Sequence, residues 1–264
     1  MVHGVGSQSD DYADATIEEL TSRLANQGHA ADSIAWESVY WADILEPRQL
    51  AYLTRAGETN ELDWPTLRSL VVQALGDAAA YKFVDSPSST YVAIHTRIRA
   101  AMNRLYTQGL NREAAPLIVM AHSLGSQIMS CYIWDTQSGM LTGADTASTH
   151  FERMEWLAGM VTFGSPIPLF TFADADPKPI RFPGDAIPGI VRAKAKWLNY
   201  YDKDDVLGYP IRPISDGYSD VVDADIEVNV GGLISAATPK SHIKYWTDND
   251  FTKPVAQFLG SFLE

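Results

Sequence analysis

The chain has 264 residues, which suits one large domain or two small ones and is long enough to bury a substantial core. Its composition, 46% hydrophobic and 20% charged residues, is that of an ordinary globular protein. The net charge of −13 at pH 7 repels phosphate backbones and anionic membrane surfaces, which argues against a nucleic acid as partner. A single cysteine, Cys131, excludes an internal disulfide framework.

No apolar run approaches the roughly 18 residues that a membrane-spanning helix needs. The first residues, Met1-Val-His-Gly-Val-Gly6, lack the basic and apolar regions of a signal peptide. We therefore expect a cytoplasmic protein without a membrane span. The sequence leaves its oligomeric state open.

Short segments rich in apolar, β-branched or aromatic residues alternate with helical patterns. The alternation of apolar and polar residues predicts a strand over Ile34–Trp41, and the continuous apolar run at 116–121 predicts a strand covered on both faces. Further strands are expected at 157–163, 197–201 and 225–230. Apolar residues at helical spacing predict helices over 16–26, 89–108, 126–134 and 252–263. The alternation predicts one α/β domain over 1–264 with a mainly parallel, doubly wound sheet.

A candidate nucleophile stands at the carboxyl end of the second predicted strand, where ligands of such sheets bind. Ala121-His-Ser-Leu-Gly125 lies between this strand and the next helix, with small residues on either side of the central serine. A sharp strand-to-helix turn needs such residues and exposes the serine hydroxyl. The pattern predicts Ser123 as a nucleophile, and Leu124 as one backbone donor for an oxyanion.

A nucleophilic serine needs a base and a carboxylate that orients the base, in the chain order serine, acid, histidine. Two histidines follow Ser123, and His150 comes too early in this order. His242, in the polar loop 239–245 after the last predicted strand, is the predicted base. The acid should follow the strand at 197–201, where Asp205 is preferred and Asp202 remains an alternative.

The second oxyanion donor is expected from a loop after an early strand, and His3-Gly-Val-Gly6 fits this place, with the Val5 N–H as donor. This loop, the turn around Ser123, Thr162-Phe-Gly-Ser-Pro166, and the predicted acid and base together resemble bacterial α/β-hydrolases of the lipase and carboxylesterase group. The resemblance implies the α/β-hydrolase fold, with N-terminal strands short or missing. It also implies triad roles for Ser123, Asp205 and His242, and oxyanion roles for Val5 and Leu124.

The segment 167–190 contains five prolines and three phenylalanines and is a candidate lid or cap insertion. Phe170, Phe172 and Phe182 either line an acyl pocket or pin the loop to the core, and both readings stay open.

We expect hydrolysis of small-molecule carboxylic esters through an acyl-enzyme, without cofactor or metal. The alternatives are an acyltransferase with the same triad, or a non-catalytic ligand-binding protein on this scaffold. The acyl length and the alcohol are left open.

Overall fold

The centre of the protein is a parallel β-sheet, seen in a computed structural model that describes residues 1–6, 8–60, 65–83, 86, 89–140, 149–231 and 242–264. Within these residues the sheet has four strands in the order β1-β2-β3-β4, each parallel to its neighbours. The strands are β1 Leu117–His122, β2 Leu157–Phe163, β3 Lys196–Asp202 and β4 Ala224–Val228. Because all four run the same way, their carboxyl ends lie at one edge of the sheet.

Helices and short turns connect and cover the strands. The helices are α1 Asp14–Asn26, α2 Glu46–Thr59, α3 Pro65–Ala80, α4 Thr90–Arg104, α5 Leu124–Ser138, α6 Ile167–Thr171, α7 Gly189–Arg192, α8 Asp216–Val221 and α9 Asn249–Gly260. A π-helical turn, Leu105–Gly109, continues α4, and 3₁₀ turns lie at Ala42–Ile44, Arg212–Ile214 and Lys244–Thr247. The predicted alternation of strands and helices, and hence the α/β class with a parallel sheet, is confirmed.

Two apolar clusters sandwich the sheet, because successive strand side chains point to opposite faces. On one face Val119 and Trp197 pack with residues of α4 and α5, such as Ile98 and Ile128. On the other face Met120, Val161 and Tyr200 pack with α1 and α9, contributed by Leu20, Leu24, Phe251, Val255 and Leu259. Both faces of the sheet are therefore covered, as the continuous apolar run at 116–121 predicted.

The predicted strands at 116–121, 157–163, 197–201 and 225–230 correspond to β1–β4 within two residues at each end. The strand predicted over Ile34–Trp41 is wrong. Val39 makes one isolated bridge to Val2, which in turn bridges to Ala121 of β1. Residues 33–37 instead line an apolar cavity of about 200 Å³ beside β1. In the described N-terminal segment, Val2 is the residue that bridges to β1.

The four predicted helices are confirmed as α1, α4, α5 and α9, but α2 and α3 were not anticipated. Leu50 and Tyr52 of α2 are exposed, and none of the described side chains of this helix is fully buried. The helix packs on α3 instead of on the sheet. No helix among the described residues is long and apolar enough to cross a membrane.

The segment 167–190 begins with α6 and continues as irregular backbone that contacts the rest of the protein. The Gly184 N–H donates to the Leu157 carbonyl (2.8 Å) and the Ala186 N–H to the Glu155 carbonyl (2.9 Å). Ile180 is buried in the core cluster on the face of α4 and α5. These contacts attach the second half of the segment to the domain.

Two phenylalanines at opposite extremes of exposure test this description of the core. Phe251 of α9 is fully buried, with its ring centroid 4.4 Å from that of Phe163, whereas Phe172 is 80% exposed. We expect Phe251→Ala to lower the free energy of unfolding by about 3–5 kcal/mol. Phe172→Ala should change it by less than about 0.5 kcal/mol. Urea denaturation followed by circular dichroism measures both, and equal losses would contradict the packing described.

Candidate active site

Ser123 occupies a strained turn between β1 and α5. Its backbone dihedrals, φ 51° and ψ −131°, are rare for a residue with a side chain, and it immediately precedes the first residue of α5. The Ser123 N–H donates to the Phe163 carbonyl at the end of β2 (3.0 Å), which ties the turn to the neighbouring strand. The predicted strand-turn-helix context of Ser123 is therefore present.

Two glycines allow neighbouring parts of the chain to approach this turn closely. A Cβ added to Gly4 would lie 2.4 Å from the Ser123 Cβ, and one added to Gly125 would lie 2.4 Å from the His3 carbonyl oxygen. Any side chain at either glycine would push the N-terminal loop away from the serine. The sequence His3-Gly-Val-Gly6 thus lies directly against the candidate nucleophile.

His242 joins Ser123 to Asp205. Its Nε2 lies 2.6 Å from the Ser123 Oγ, and its Nδ1 lies 2.9 and 3.0 Å from the two carboxylate oxygens of Asp205. An ionised carboxylate only accepts hydrogen bonds, so Nδ1 carries the proton and Nε2 accepts from the serine hydroxyl. All three residues are buried. Residues 239–241 of the predicted loop lie outside the described residues.

The Asp205 carboxylate is held in its ionised form. Burial alone would raise its pKa, but the hydrogen bond and charge interaction with His242, the Leu207 N–H and the Tyr245 hydroxyl together lower the pKa below its ordinary value. The alternative acid, Asp202, is buried too, but its oxygens accept from the backbone N–H groups of Asp204 (2.8 Å) and Val230 (2.7 Å). His242 therefore pairs with Asp205, while the Asp202 carboxylate holds the backbone at Asp204 and Val230.

Two glycines make room for the acid and the base. Gly164, in Thr162-Phe-Gly-Ser-Pro166, has φ +55°, and a Cβ there would lie 3.1 Å from the Asp205 Oδ2 and 3.2 Å from the His242 ring. A Cβ at Gly208 would lie 2.6 Å from the same carboxylate oxygen. The strand end after β2 and the loop after β3 thus approach the imidazole and the carboxylate more closely than larger residues would allow.

His3 holds the N-terminal loop as a neutral imidazole. The Trp41 N–H donates to its Nε2 (3.0 Å), so Nδ1 must carry the proton, and it donates to the Gly4 carbonyl (2.8 Å). Burial lowers the pKa of His3 to about 4, which keeps it uncharged at neutral pH. The Trp41 indole N–H donates back to the His3 carbonyl (3.0 Å) and its ring stacks on the imidazole.

The far end of this loop is anchored by a buried carboxyl group. The Gly6 N–H donates to the Asp77 Oδ2 (3.1 Å), and the other oxygen accepts from the Gln49 side chain (2.7 Å). Both ends of the loop are thereby fixed. Among the described residues the N–H groups of Val5 and Leu124 donate to no acceptor, so both predicted oxyanion donors are unused.

Two further side chains contact the acid and the base. His122 is buried and donates from Nε2 to the His242 carbonyl (2.6 Å). Burial lowers the pKa of His122 well below its ordinary value, so it stays neutral. Tyr245 donates its hydroxyl to the Asp205 Oδ2 (3.1 Å). No sequence pattern indicates this contact, because Tyr245 and Asp205 are 40 residues apart in the chain.

The three candidate substrate-binding phenylalanines do not meet in the described part of the chain. Phe170 is half-buried and lines a cleft of about 500 Å³ together with Gln127 and Trp134 of α5. Phe172 projects into solvent, and Phe182 packs edge-on against Trp197 of the sheet. Only Phe170 therefore borders an open cleft.

Cys131 does not form a second nucleophilic centre. The thiol is half-buried and accepts a hydrogen bond from the Gln127 side chain. Burial raises the pKa of the thiol to about 11, which keeps it protonated at neutral pH.

Comparison of the chain with protein-family models, with curated proteins and with solved structures finds no match. The functional interpretation therefore rests on the residues and their geometry.

The ionised state of Asp205 predicts a pH-dependent contribution to stability. Because its pKa is lowered on folding, the carboxylate stabilises the fold above its ordinary pKa of about 4, and this contribution is lost as the pH falls through the folded value. Asn cannot ionise, so the stability advantage of the wild type over Asp205→Asn should be largest at pH 7 and shrink as the pH falls below 4. Urea unfolding of both proteins between pH 7 and pH 3 measures this difference. A difference that is independent of pH would mean that Asp205 is not preferentially ionised in the fold.

Proposed function

We propose that this protein is a serine hydrolase that cleaves carboxylic esters through an acyl-enzyme on the α/β-hydrolase scaffold. The observation that carries the proposal is the unbroken hydrogen-bonded chain from the Ser123 Oγ through the His242 imidazole to the Asp205 carboxylate. A serine hydroxyl is a weak nucleophile by itself, and an adjacent base held by a carboxylate activates it. The strained backbone at Ser123 further supports the proposal, because strain in an ordinary turn would bring no benefit.

In the acylation half of the reaction, the Ser123 Oγ attacks the ester carbonyl carbon while His242 Nε2 takes the hydroxyl proton. Asp205 accepts from Nδ1 throughout and stabilises the resulting imidazolium. The tetrahedral intermediate collapses when His242 passes its proton to the leaving alcohol, and the acyl group remains on Ser123. A water molecule then repeats the sequence, and releases the acid and the free serine.

The negative charge of the tetrahedral intermediate needs donors that are already in place. The N–H of Leu124 lies at the start of α5, where the helix dipole also favours negative charge. The N–H of Val5 belongs to the loop that His3 and Asp77 hold against Ser123. In this proposal these two amides bind the oxyanion.

Hydrolysis of p-nitrophenyl esters of graded chain length tests the proposal. We expect turnover by the wild type, and a loss of kcat of about 10⁴-fold or more in Ser123→Ala and in His242→Ala. The matched controls are Ser261→Ala, at the end of α9, and His150→Ala, the exposed histidine that also follows Ser123 in the chain. Both controls should retain wild-type activity.

Two results would change the assignment. A wild type that neither hydrolyses these esters nor reacts with a fluorophosphonate has no activated serine, and the ligand-binding alternative would replace the proposal. Faster transfer of the acyl group to an added alcohol than to water would assign the same residues to an acyltransferase.

The contact between Gly4 and Ser123 allows a test of the oxyanion loop that leaves the three reacting side chains in place. Gly4→Ala introduces a methyl group 2.4 Å from the Ser123 Cβ and must displace the loop that carries Val5. We expect kcat for the same esters to fall by about 10²–10³-fold, the range found when one oxyanion donor is lost.

Gly57→Ala is the matched control, because Gly57 is an exposed residue of α2 with nothing within 4 Å of an added Cβ. It should leave kcat unchanged and raise the free energy of unfolding by up to about 1 kcal/mol. A wild-type kcat in Gly4→Ala would show that the His3–Gly6 loop takes no part in the reaction.

A further inference from the structure

Tyr245 contacts the proposed catalytic acid, Asp205, from within the protein core. The side chain is completely buried, and its hydroxyl oxygen is 3.1 Å from the Asp205 Oδ2 and 2.8 Å from the backbone nitrogen of Asp202. The residue belongs to the 3₁₀ turn Lys244–Thr247, which begins two residues after His242. One short stretch of chain therefore supplies both the base and a second contact to its acid.

The hydrogen bonds fix the direction in which the Tyr245 hydroxyl points its proton. The Asp202 N–H can only donate, so it occupies a lone pair of the hydroxyl oxygen. The hydroxyl proton must then point to the remaining partner, the Asp205 carboxylate. Burial raises the pKa of Tyr245, so the hydroxyl keeps its proton at neutral pH.

The Asp205 carboxylate has a donor for each oxygen besides the imidazole. The Leu207 N–H binds Oδ1 (3.0 Å) and the Tyr245 hydroxyl binds Oδ2. Together they fix the plane of the carboxylate, and with it the direction in which the His242 Nδ1 proton is held. Without the hydroxyl, Oδ2 would lose the one donor that it has among the described residues besides the imidazole, and the carboxylate could turn about its Cβ–Cγ bond.

We propose that Tyr245 is a positioning residue of the reaction, whose hydroxyl sets the orientation of Asp205 so that the imidazole of His242 stays aligned with Ser123. This role rests on the proposed esterase function. Tyr245 contacts neither the serine nor, in this proposal, the substrate, so its effect should appear in kcat and leave KM almost unchanged.

The pH profile gives a second readout, because a carboxylate that has lost a donor attracts the imidazolium proton more strongly. The acid limb of kcat/KM should therefore move to higher pH in Tyr245→Phe. The other ionisable groups around His242 do not produce this shift. His122 is neutral, and the Asp202 carboxylate remains bound by two backbone N–H groups.

The experiment compares wild type, Tyr245→Phe and Tyr132→Phe in p-nitrophenyl ester hydrolysis over a range of pH. Tyr132 is the matched control, because it is also fully buried and donates one hydrogen bond, to the Glu152 carbonyl (2.8 Å), away from Ser123. We expect kcat of Tyr245→Phe to fall about tenfold, in line with the loss of one hydrogen bond to a charged group. KM should stay within twofold, and Tyr132→Phe should keep the wild-type kcat and pH profile.

A double-mutant cycle distinguishes a positioning role from general destabilisation. In an Asp205→Asn background the additional change Tyr245→Phe should lower kcat less than twofold, because the hydroxyl acts through the carboxylate. An unchanged kcat and pH profile in single Tyr245→Phe, or a full tenfold loss in the Asp205→Asn background, would overturn the proposal. An inactive wild type would instead overturn the esterase function itself.

A measurement on the wild type covers the case in which Tyr245→Phe does not fold. With tyrosine labelled at ¹³Cζ, the Tyr245 hydroxyl proton should give a downfield resonance coupled to its ring carbon. This resonance should move upfield in Asp205→Asn. A Tyr245 hydroxyl resonance that is identical in the two proteins would show that the proton does not point to Asp205, and would overturn the proposal.

Discussion

The position of the His242 imidazole between a serine and a carboxylate depends on one constraint, the parallel direction of neighbouring strands. Because β1, β2 and β3 run the same way, the chain leaves all three at one edge of the sheet. Ser123 follows β1 and Asp205 lies three residues beyond β3, with the Gly164 turn after β2 between them. An antiparallel neighbour would have placed one of these side chains at the opposite edge, where no rotation of an imidazole could join them.

The space around the imidazole is set by backbone and not by large side chains. Gly4 lies against the serine, while Gly164 and Gly208 lie against the carboxylate. This close approach excludes bulk water from the hydrogen bonds and strengthens their electrostatics. It has a cost, since the backbone at Ser123 stores strain of about 1–3 kcal/mol. The two well-packed clusters on either side of the sheet offset that cost.

The sequence predicts most of the sheet because each buried strand leaves a clear signal. Leu157–Phe163, for example, is buried at every position and reads as one apolar run. The segment Ile34–Trp41 shows the alternation of a strand but is not one, since alternation in a single segment does not say whether a partner strand exists beside it. Helix α2 was not predicted, and two of its apolar residues, Leu50 and Tyr52, are exposed. A periodic pattern of apolar residues thus indicates that one face of a segment is buried. It does not predict the structure of a segment that packs on another peripheral element or that has no partner strand.

For the candidate site, the strand-turn-helix pattern selected Ser123, and the chain order serine, acid, histidine selected His242 but did not separate Asp205 from Asp202. Both aspartates are buried, and both leave β3 within four residues of each other. Their roles differ in the donors that surround them. The Asp202 carboxylate accepts from two backbone N–H groups, whereas the Asp205 carboxylate accepts from one backbone N–H, the imidazole and the Tyr245 hydroxyl. Each of these donors comes from a segment distant in sequence or from a local turn geometry, which a one-dimensional pattern does not encode. A carboxylate that binds only backbone N–H groups stabilises its loop. A carboxylate that binds a side chain able to gain a proton can also take part in chemistry, and this is the physical distinction between Asp202 and Asp205.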